Sequence, residues 1–387
     1  MLNPNQIGEL VKNNISPLIG SLKDPEPNKS VGILVGVTYG GVRYYYHYGQ
    51  VDLASGSAQI RESVHIKDIV FFIGSNSKVF TATLLALAAS SANNPVTPST
   101  SVASLLPSNV SINQPYGEIL LWHLATHSAG YPDGTCGAHP FGDYSFTLMG
   151  RFLSNFEPSY TPGKYWVYSN QGFALLGVLL SHAYGGGASS DWDATYQNWP
   201  AVVVDNISAP LGMASTQVDY SNVSGRVAQG HIYTDAAGGP AYNRVDPPNW
   251  ALTSAGLGAG ALSSTLEDML TFLEASISPP PNPLGAAMTE TQQAYAGSEG
   301  LSMGLGWQLS NDYLDKNGGL SGYETYMVFD QGAKIGVFLF GNTSGGNKAA
   351  HPGTALDQAG RRLLGALRES VANPSRFPRP PTTPQCP

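Results

Sequence analysis

Ser75 and Lys78 stand three residues apart in the stretch Ile73-Gly74-Ser75-Asn76-Ser77-Lys78-Val79-Phe80. A serine hydroxyl is a poor nucleophile until a base or a nearby positive charge activates it. The apolar run Ile69-Val70-Phe71-Phe72-Ile73 before it reads as a buried strand, and residues 81–89 after it read as a buried helix. Ser75 is therefore expected at the first turn of a helix, with Lys78 one turn on. Residues three apart share a helix face, so the amine can lie beside the hydroxyl. The helix N-terminus adds partial positive charge and free backbone N–H groups where an oxyanion can form. The same four residues equally suit an N-capping serine followed by a solvated lysine. Other stretches of the chain have to decide.

Two stretches share this character. Tyr160-Thr161-Pro162-Gly163-Lys164-Tyr165-Trp166-Val167-Tyr168-Ser169-Asn170 runs into the almost wholly apolar segment 170–182, a buried helix. Tyr168 and Asn170 are expected to project from the loop at its start. Taken alone, Tyr168 suits packing and Asn170 suits an N-cap. Lys316-Asn317-Gly318-Gly319 lies just before or along a strand, with Leu320-Ser321-Gly322-Tyr323 after it. Taken alone, Lys-x-Gly is a turn.

Together, Ser75-Asn76-Ser77-Lys78, Tyr168-Ser169-Asn170 and Lys316-Asn317-Gly318 resemble the three active-site motifs of serine β-lactamases and penicillin-binding DD-peptidases, in the family's order. The Tyr-Ser-Asn form points to the class C β-lactamase branch and its low-molecular-weight penicillin-binding relatives. Supporting stretches are His123-Leu124-Ala125-Thr126-His127-Ser128-Ala129-Gly130, Pro162-Gly163, Pro210-Leu211-Gly212-Met213, residues 260–268, Gly304-Leu305-Gly306-Trp307 and residues 316–329. The resemblance spans about residues 5–370.

The resemblance implies a serine hydrolase working through an acyl-enzyme on a small-molecule or peptide substrate, with no metal or organic cofactor. Ser75 would be the acylated nucleophile, and Lys78 would help take its proton. Tyr168 would act as general base or proton shuttle, its phenol pKa lowered by Lys78 and Lys316. Asn170 would orient Lys78 or the substrate amide. Lys316 would sustain the field near Tyr168 and meet a substrate carboxylate. The backbone N–H groups of Ser75 and Gly319 would form the oxyanion hole, with Gly318 in the same strand. Asn342 matches a position that helps bind the carboxylate.

The chain also departs from the pattern. Asn317 stands where the family usually has a carboxylate-binding Thr, and the loop 130–143 lacks the Gln that class C enzymes carry there. The same machinery cleaves β-lactams, D-Ala-D-Ala peptides and simple esters, because fold does not fix function. The retained Lys316 favours a carboxylate-bearing substrate, hence a DD-carboxypeptidase or class C-like β-lactamase. A carboxylesterase is the alternative, and a non-catalytic penicillin or ligand binder is a further one, which would need a missing motif.

These loops need a scaffold. Residues 4–22 read as a first helix, 30–39 and 42–48 as a hairpin across Gly40-Gly41. The middle reads as helices at 118–125, 144–156, 170–182 and 192–208, with a strand candidate at 226–230. Ser264-Thr265-Leu266-Glu267 reads as a capping box opening a helix to about 276, and 283–295 reads as one more helix. Strand patterns return at 305–309, 324–330 and 333–340, and a final helix runs over 354–371. The expected class is α/β (α+β), an antiparallel sheet flanked by helices and built from both chain ends, with an inserted mainly helical domain. The expected division is 1–80 with 296–372, the insert 81–295, and a Pro-rich tail 373–387.

Composition excludes several classes. The net charge of −8, without a basic run, argues against nucleic acid as a partner. The apolar runs are too short to span a bilayer. Only 12% of residues are charged, beside 45 Gly and 28 Pro, which resembles an exported, loop-rich enzyme. A periplasmic or secreted location is thus the expectation, although Met1-Leu2-Asn3-Pro4-Asn5 lacks the basic start and apolar core of a signal peptide. Cys136 and Cys386 are too few for a disulfide framework, and whether they pair is not deducible. Gly300-Leu301-Ser302-Met303-Gly304 fits the lipase signature but lacks the flanking strand and helix of a nucleophile elbow. His123 and His127, four apart, suit a metal pair, yet no third ligand follows at useful spacing.

Overall fold

The computed structural model describes residues 2–54, 64–136, 140–158, 160–186, 189–298, 301–345 and 355–372. Helix α1 (Pro4–Ile15) is capped by Asn3, whose side chain accepts from the Gln6 N–H, and buries Ile7, Leu10, Val11 and Ile15. It is shorter than the sequence predicts because Pro17 falls in a separate 3-10 turn, Ser16–Leu18. Strands β1 (Gly32–Tyr39) and β2 (Val42–Gly49) form the expected hairpin, with Gly40 and Gly41 both at positive φ. Strand β3 is only Phe71–Phe72, since it pairs with the two residues Ser263 and Ser264 alone.

Next come α2 (Ser77–Ser91), α3 (Leu121–Ala125), α4 (Phe146–Asn155), α5 (Asn170–Gly185), α6 (Trp199–Val203) and α7 (Ala209–Leu211). The stretch predicted as one helix over 192–208 is instead a 3-10 turn at Ala194–Gln197, then α6, then a π turn at Val204–Ser208. Pro200 sits in the first turn of α6, where its missing N–H costs nothing. The strand expected at 226–230 starts at its far end: β4 is Gly230–Ala236 and pairs with β5 (Gly239–Val245).

After β6 (Ser263–Ser264), helix α8 (Leu266–Ile277) is capped by Thr265, which accepts from the Asp268 N–H. The predicted capping box does not form. Glu267 turns instead to Arg43 and to the Tyr45 hydroxyl. Then follow α9 (Pro283–Thr291), β7 (Ala296–Ser298), β8 (Leu301–Met303), β9 (Gln308–Leu309), β10 (Leu314–Leu320), β11 (Tyr323–Asp330), β12 (Ile335–Gly341), β13 (Thr343–Ser344) and α10 (Ala355–Ala372). The predicted tail 373–387 lies outside the described residues.

The fold is α/β, with an antiparallel sheet from both chain ends and helices against it. The strand order is β2-β1-β12-β11-β10-β9-β8-β7. Strands β1 and β12 pair from Ile33 opposite Gly341 to Tyr39 opposite Ile335. The side-chain period of two sorts each central strand into two cores. Ile33, Val35 and Val37 join Val337, Leu339 and Tyr326 beneath α1 and α10. Leu34, Phe338 and Phe340 face the other way, with Phe71 stacked 4.5 Å from Phe340. Helix α8 covers this second face, and Leu270 lies so close that a Cβ on Gly36 would meet it at 3.1 Å. A helix from the middle of the chain thus lies on the sheet itself.

Candidate active site

The Ser75 loop is pinned against strands β10 and β11 of the sheet. Gly74 has φ +52, a left-handed value that glycine adopts without strain, and Gly74–Asn76 form a 3-10 turn before α2 starts at Ser77. The Thr325 hydroxyl, on β11, donates to the Ile73 carbonyl at 2.9 Å and accepts from Asn76 Nδ2 at 2.9 Å. Strand β10 runs in contact with this turn. A Cβ on Gly318 would sit 2.1 Å from the Ile73 carbonyl oxygen, and one on Gly74 would sit 2.7 Å from the Gly319 nitrogen. The Ser75 turn and the Gly319 backbone are thereby neighbours, as an oxyanion hole shared between them requires.

The second loop is held by residues around α3. The Val167 N–H donates to the His127 carbonyl at 2.8 Å, and the Gly163 N–H to the Ser128 carbonyl at 2.8 Å. Ser169, not Asn170, caps α5: its Oγ accepts from the Gly172 N–H at 2.8 Å, which leaves Asn170 free to face Lys78. His127 is buried with φ +58, accepts from the Ser169 N–H on Nδ1, and lies 4.4 Å from the Tyr168 ring. This histidine braces Tyr168, a role the sequence reading did not find.

The three loops converge. Lys78 Nζ lies 3.0 Å from Ser75 Oγ, 2.5 Å from Asn170 Oδ1 and 2.5 Å from the Ala259 carbonyl oxygen. Ser75 Oγ lies 2.6 Å from the Tyr168 hydroxyl. Lys316 Nζ is 5.4 Å from the centre of the Tyr168 ring, and Lys78 Nζ 5.2 Å from it. Ser75, Lys78, Tyr168, Asn170 and Lys316 are therefore brought together as expected. Ala259 joins them through its carbonyl, which no side-chain motif could announce.

The electrostatics differ from the expectation at Tyr168. Burial is the dominant influence and pushes its phenol up, against a smaller lowering by the Ser75 hydrogen bond. The phenol is not made acidic by the lysines. Burial, with Lys316 adding to it, instead pulls the wholly buried Lys78 well below the ordinary lysine range, while Asp133 opposes. Burial likewise lowers Lys316, to about 8, against the acids Asp315 and Asp357.

Two residues expected to bind substrate are engaged by other parts of the protein. Asn342 is wholly buried, with Oδ1 accepting from the Gly32 N–H at 2.7 Å and Nδ2 donating to the Gln50 carbonyl at 3.0 Å. Its amide ties the start of β1 and the residue after β2 to the end of β12. Asn317 donates from Nδ2 to the buried Asp357 at 3.2 Å, and its Oδ1 lies 3.3 Å from Lys316 Nζ. Alternation along β10 turns it toward α10, on the side of Asp315, while Gly318 faces the Ser75 turn.

The decoys fall elsewhere. Ser302 lies in β8, followed by β9 and not by a helix. His123 Nδ1 accepts from the Leu120 N–H at 2.9 Å, so the two histidines serve different backbone groups. Among the described residues, no three His, Cys, Asp or Glu side chains gather as metal ligands. Cys136 is exposed, and Cys386 lies outside the described residues.

A family model described as Beta-lactamase matches residues 23–361. The chain belongs to the β-lactamase family. It is 23% identical over 407 residues to a β-lactamase of Yersinia enterocolitica, covering 94% of this chain and 92% of that protein. It is 24% identical over 239 residues to penicillin-binding protein 4* of Bacillus subtilis, covering 55% and 49% respectively. A crystal structure of a class C β-lactamase superposes with TM-score 0.71 at 20% identity, covering 94% of this chain and 99% of that one. That superposition reflects a shared fold. The β-lactamase family assignment makes the chain a serine hydrolase, and no helix among its described residues is long and apolar enough to cross a membrane.

Proposed function

We propose that this hydrolase acylates Ser75 with a β-lactam or a D-alanyl-D-alanine peptide and then hydrolyses the ester. The convergence of Lys78 Nζ at 3.0 Å and the Tyr168 hydroxyl at 2.6 Å on Ser75 Oγ carries this reading. A neutral amine has two N–H groups and one lone pair. Asn170 Oδ1 and the Ala259 carbonyl accept the two N–H groups, so the lone pair faces the serine hydroxyl. Burial favours that neutral form. Lys78 thus takes the Ser75 proton as Oγ bonds to the carbonyl carbon, and the oxyanion settles toward the Ser75 and Gly319 N–H groups. Tyr168, a neutral phenol at the start, hands its proton to the departing nitrogen as the C–N bond breaks, and the Lys78 ammonium returns a proton to it, so both groups end as they began. Water then attacks the ester carbonyl, giving a proton to Lys78, and Ser75 Oγ leaves and takes that proton, releasing the acid and free Ser75.

Intact-mass spectrometry after incubation with a penicillin tests this. An adduct, or hydrolysed penicillin, is expected with the wild type and not with Ser75→Ala. Labelling that persists in the variant would overturn the assignment.

A second reading, ester hydrolysis, is favoured by Asn317. Its amide is engaged by Asp357 and so is not simply open to a substrate carboxylate. Comparing short p-nitrophenyl esters with a chromogenic cephalosporin separates the two. Turnover of esters alone supports the esterase.

A further inference from the structure

We propose that Asp133 is a positioning residue for the Ser75–Lys78 pair, holding the Asn170 amide in the one orientation that presents its oxygen to Lys78. The inference rests on the acyl-enzyme reading above. An asparagine side chain has an oxygen end that only accepts and an NH2 end that only donates. Inverted, Asn170 would point donors at the N–H groups of Lys78, and the base would lose one of its two acceptors. Asp133 removes that freedom. Its Oδ1 accepts from Asn170 Nδ2 at 2.6 Å while Asn170 Oδ1 stands 2.5 Å from Lys78 Nζ. A carboxylate is acceptor-only, so it can meet only the NH2 end.

The loop around Asp133 is itself fixed to α5. Ser169 Oγ, the cap of that helix, donates to the Pro132 carbonyl at 2.9 Å, one residue before Asp133. Pro132 also restricts the backbone there. The run Asp133, Asn170, Lys78, Ser75 is thus a continuous line of polar contacts from the exposed mouth of the site to the nucleophile. It uses the loop in which the sequence departs from the class C pattern.

Asp133 also acts through its charge. The titratable groups facing Lys78 are Tyr168 ahead of α5, Lys316 on β10, His127 after α3, and Asp133. Of these, Asp133 is the one that favours the ammonium form of Lys78, opposing burial and Lys316. Lys78 must be a free amine to accept the Ser75 proton, so kcat/KM climbs with pH as Lys78 deprotonates. Removing the negative charge moves that climb to lower pH. Asp133 is exposed, so the shift shrinks as salt is added.

The test is a kcat/KM–pH profile at low and high salt, with a penicillin, for the wild type and three variants. Asp133→Ala removes the acceptor, and the plateau is expected to fall about 10-fold through misplacement of the amide. Asp133→Asn keeps an acceptor but not the charge. It should retain more of the plateau than the Ala variant and shift the acidic limb downward at low salt. Asp133→Glu should restore part of both. A wild-type plateau in Asp133→Ala, or an unmoved limb in Asp133→Asn at low salt, overturns the inference. If Asp133→Ala does not fold, the limb of the Asn variant decides. If the wild type itself forms no Ser75-dependent acyl adduct, the underlying reading fails instead, whatever the variants do.

Discussion

Gly318 and Ile73 approach so closely that a single methyl group between them would stand 2.1 Å from the Ile73 carbonyl oxygen. That contact sets the separation between the Lys316 strand and the Ser75 turn. The site depends on this spacing as much as on its side chains.

Gly318→Ala should therefore push β10 away from the turn. The expected loss in kcat/KM is about 100-fold, the scale of a displacement near 1 Å in an active site. Steady-state kinetics beside a thermal denaturation scan check it. Wild-type activity would mean that the two backbones separate without cost.

Tyr168→Phe separates the two proton-transfer assignments. If Lys78 is the titrating base, the variant turns over about 100-fold more slowly but keeps its acidic limb at the wild-type pH. Rates of acylation from pH 4 to pH 9, by stopped flow, give the limb directly. Its disappearance in the variant would return the role of base to the phenol.

Lys316 sits at about 8, lowered by burial, so its charge is present below that pH and lost above it. KM for an anionic substrate should rise as pH passes through 8, while KM for a neutral ester should not. A KM that stays flat to pH 10 for a carboxylate-bearing substrate would show that Lys316 does not meet the carboxylate.

Asp315, on the far side of the same strand, accepts from Arg361 Nε at 2.9 Å and from the buried Tyr326 hydroxyl at 2.5 Å. Asp315→Ala leaves that hydroxyl without this acceptor. The expected destabilisation is about 2 kcal/mol, discounted because Arg361 is partly exposed. Asp315 also supports the charge of Lys316, so the KM rise above should begin at lower pH in the variant. Urea denaturation and the KM profile test both halves.

Much of this was readable from residues that act over short distances. Ser75 and Lys78 share one helix start, and Tyr168 and Asn170 share another, so local spacing placed them. The partners of Asn342 and Asn317 were not readable, because alternation along β10 puts Asn317 on the face of Asp315 and Asn342 sits in the bend after β12, bonded to Gly32 and Gln50 near the other end of the chain. Asn317 meets its acceptor Asp357 on α10, 40 positions on, a contact the local sequence does not announce. The phenol of Tyr168 was misjudged for a different reason. Counting nearby charges omits desolvation, and desolvation needs the packed neighbours, His127 among them. Asp133 and the Ala259 carbonyl carry no motif at all.

The sheet couples the first strand to the last long one, and the Gly32 N–H waits for Asn342, 310 positions on. During synthesis β1 and β2 have emerged from the ribosome long before β12 exists, so one edge of β1 stays unpaired. Topologies closed by such distant pairings assemble slowly and expose sticky intermediates. A nascent chain stalled before β12 should therefore be inactive and should need chaperone cover, even though the serine, both lysines and the tyrosine have already been made.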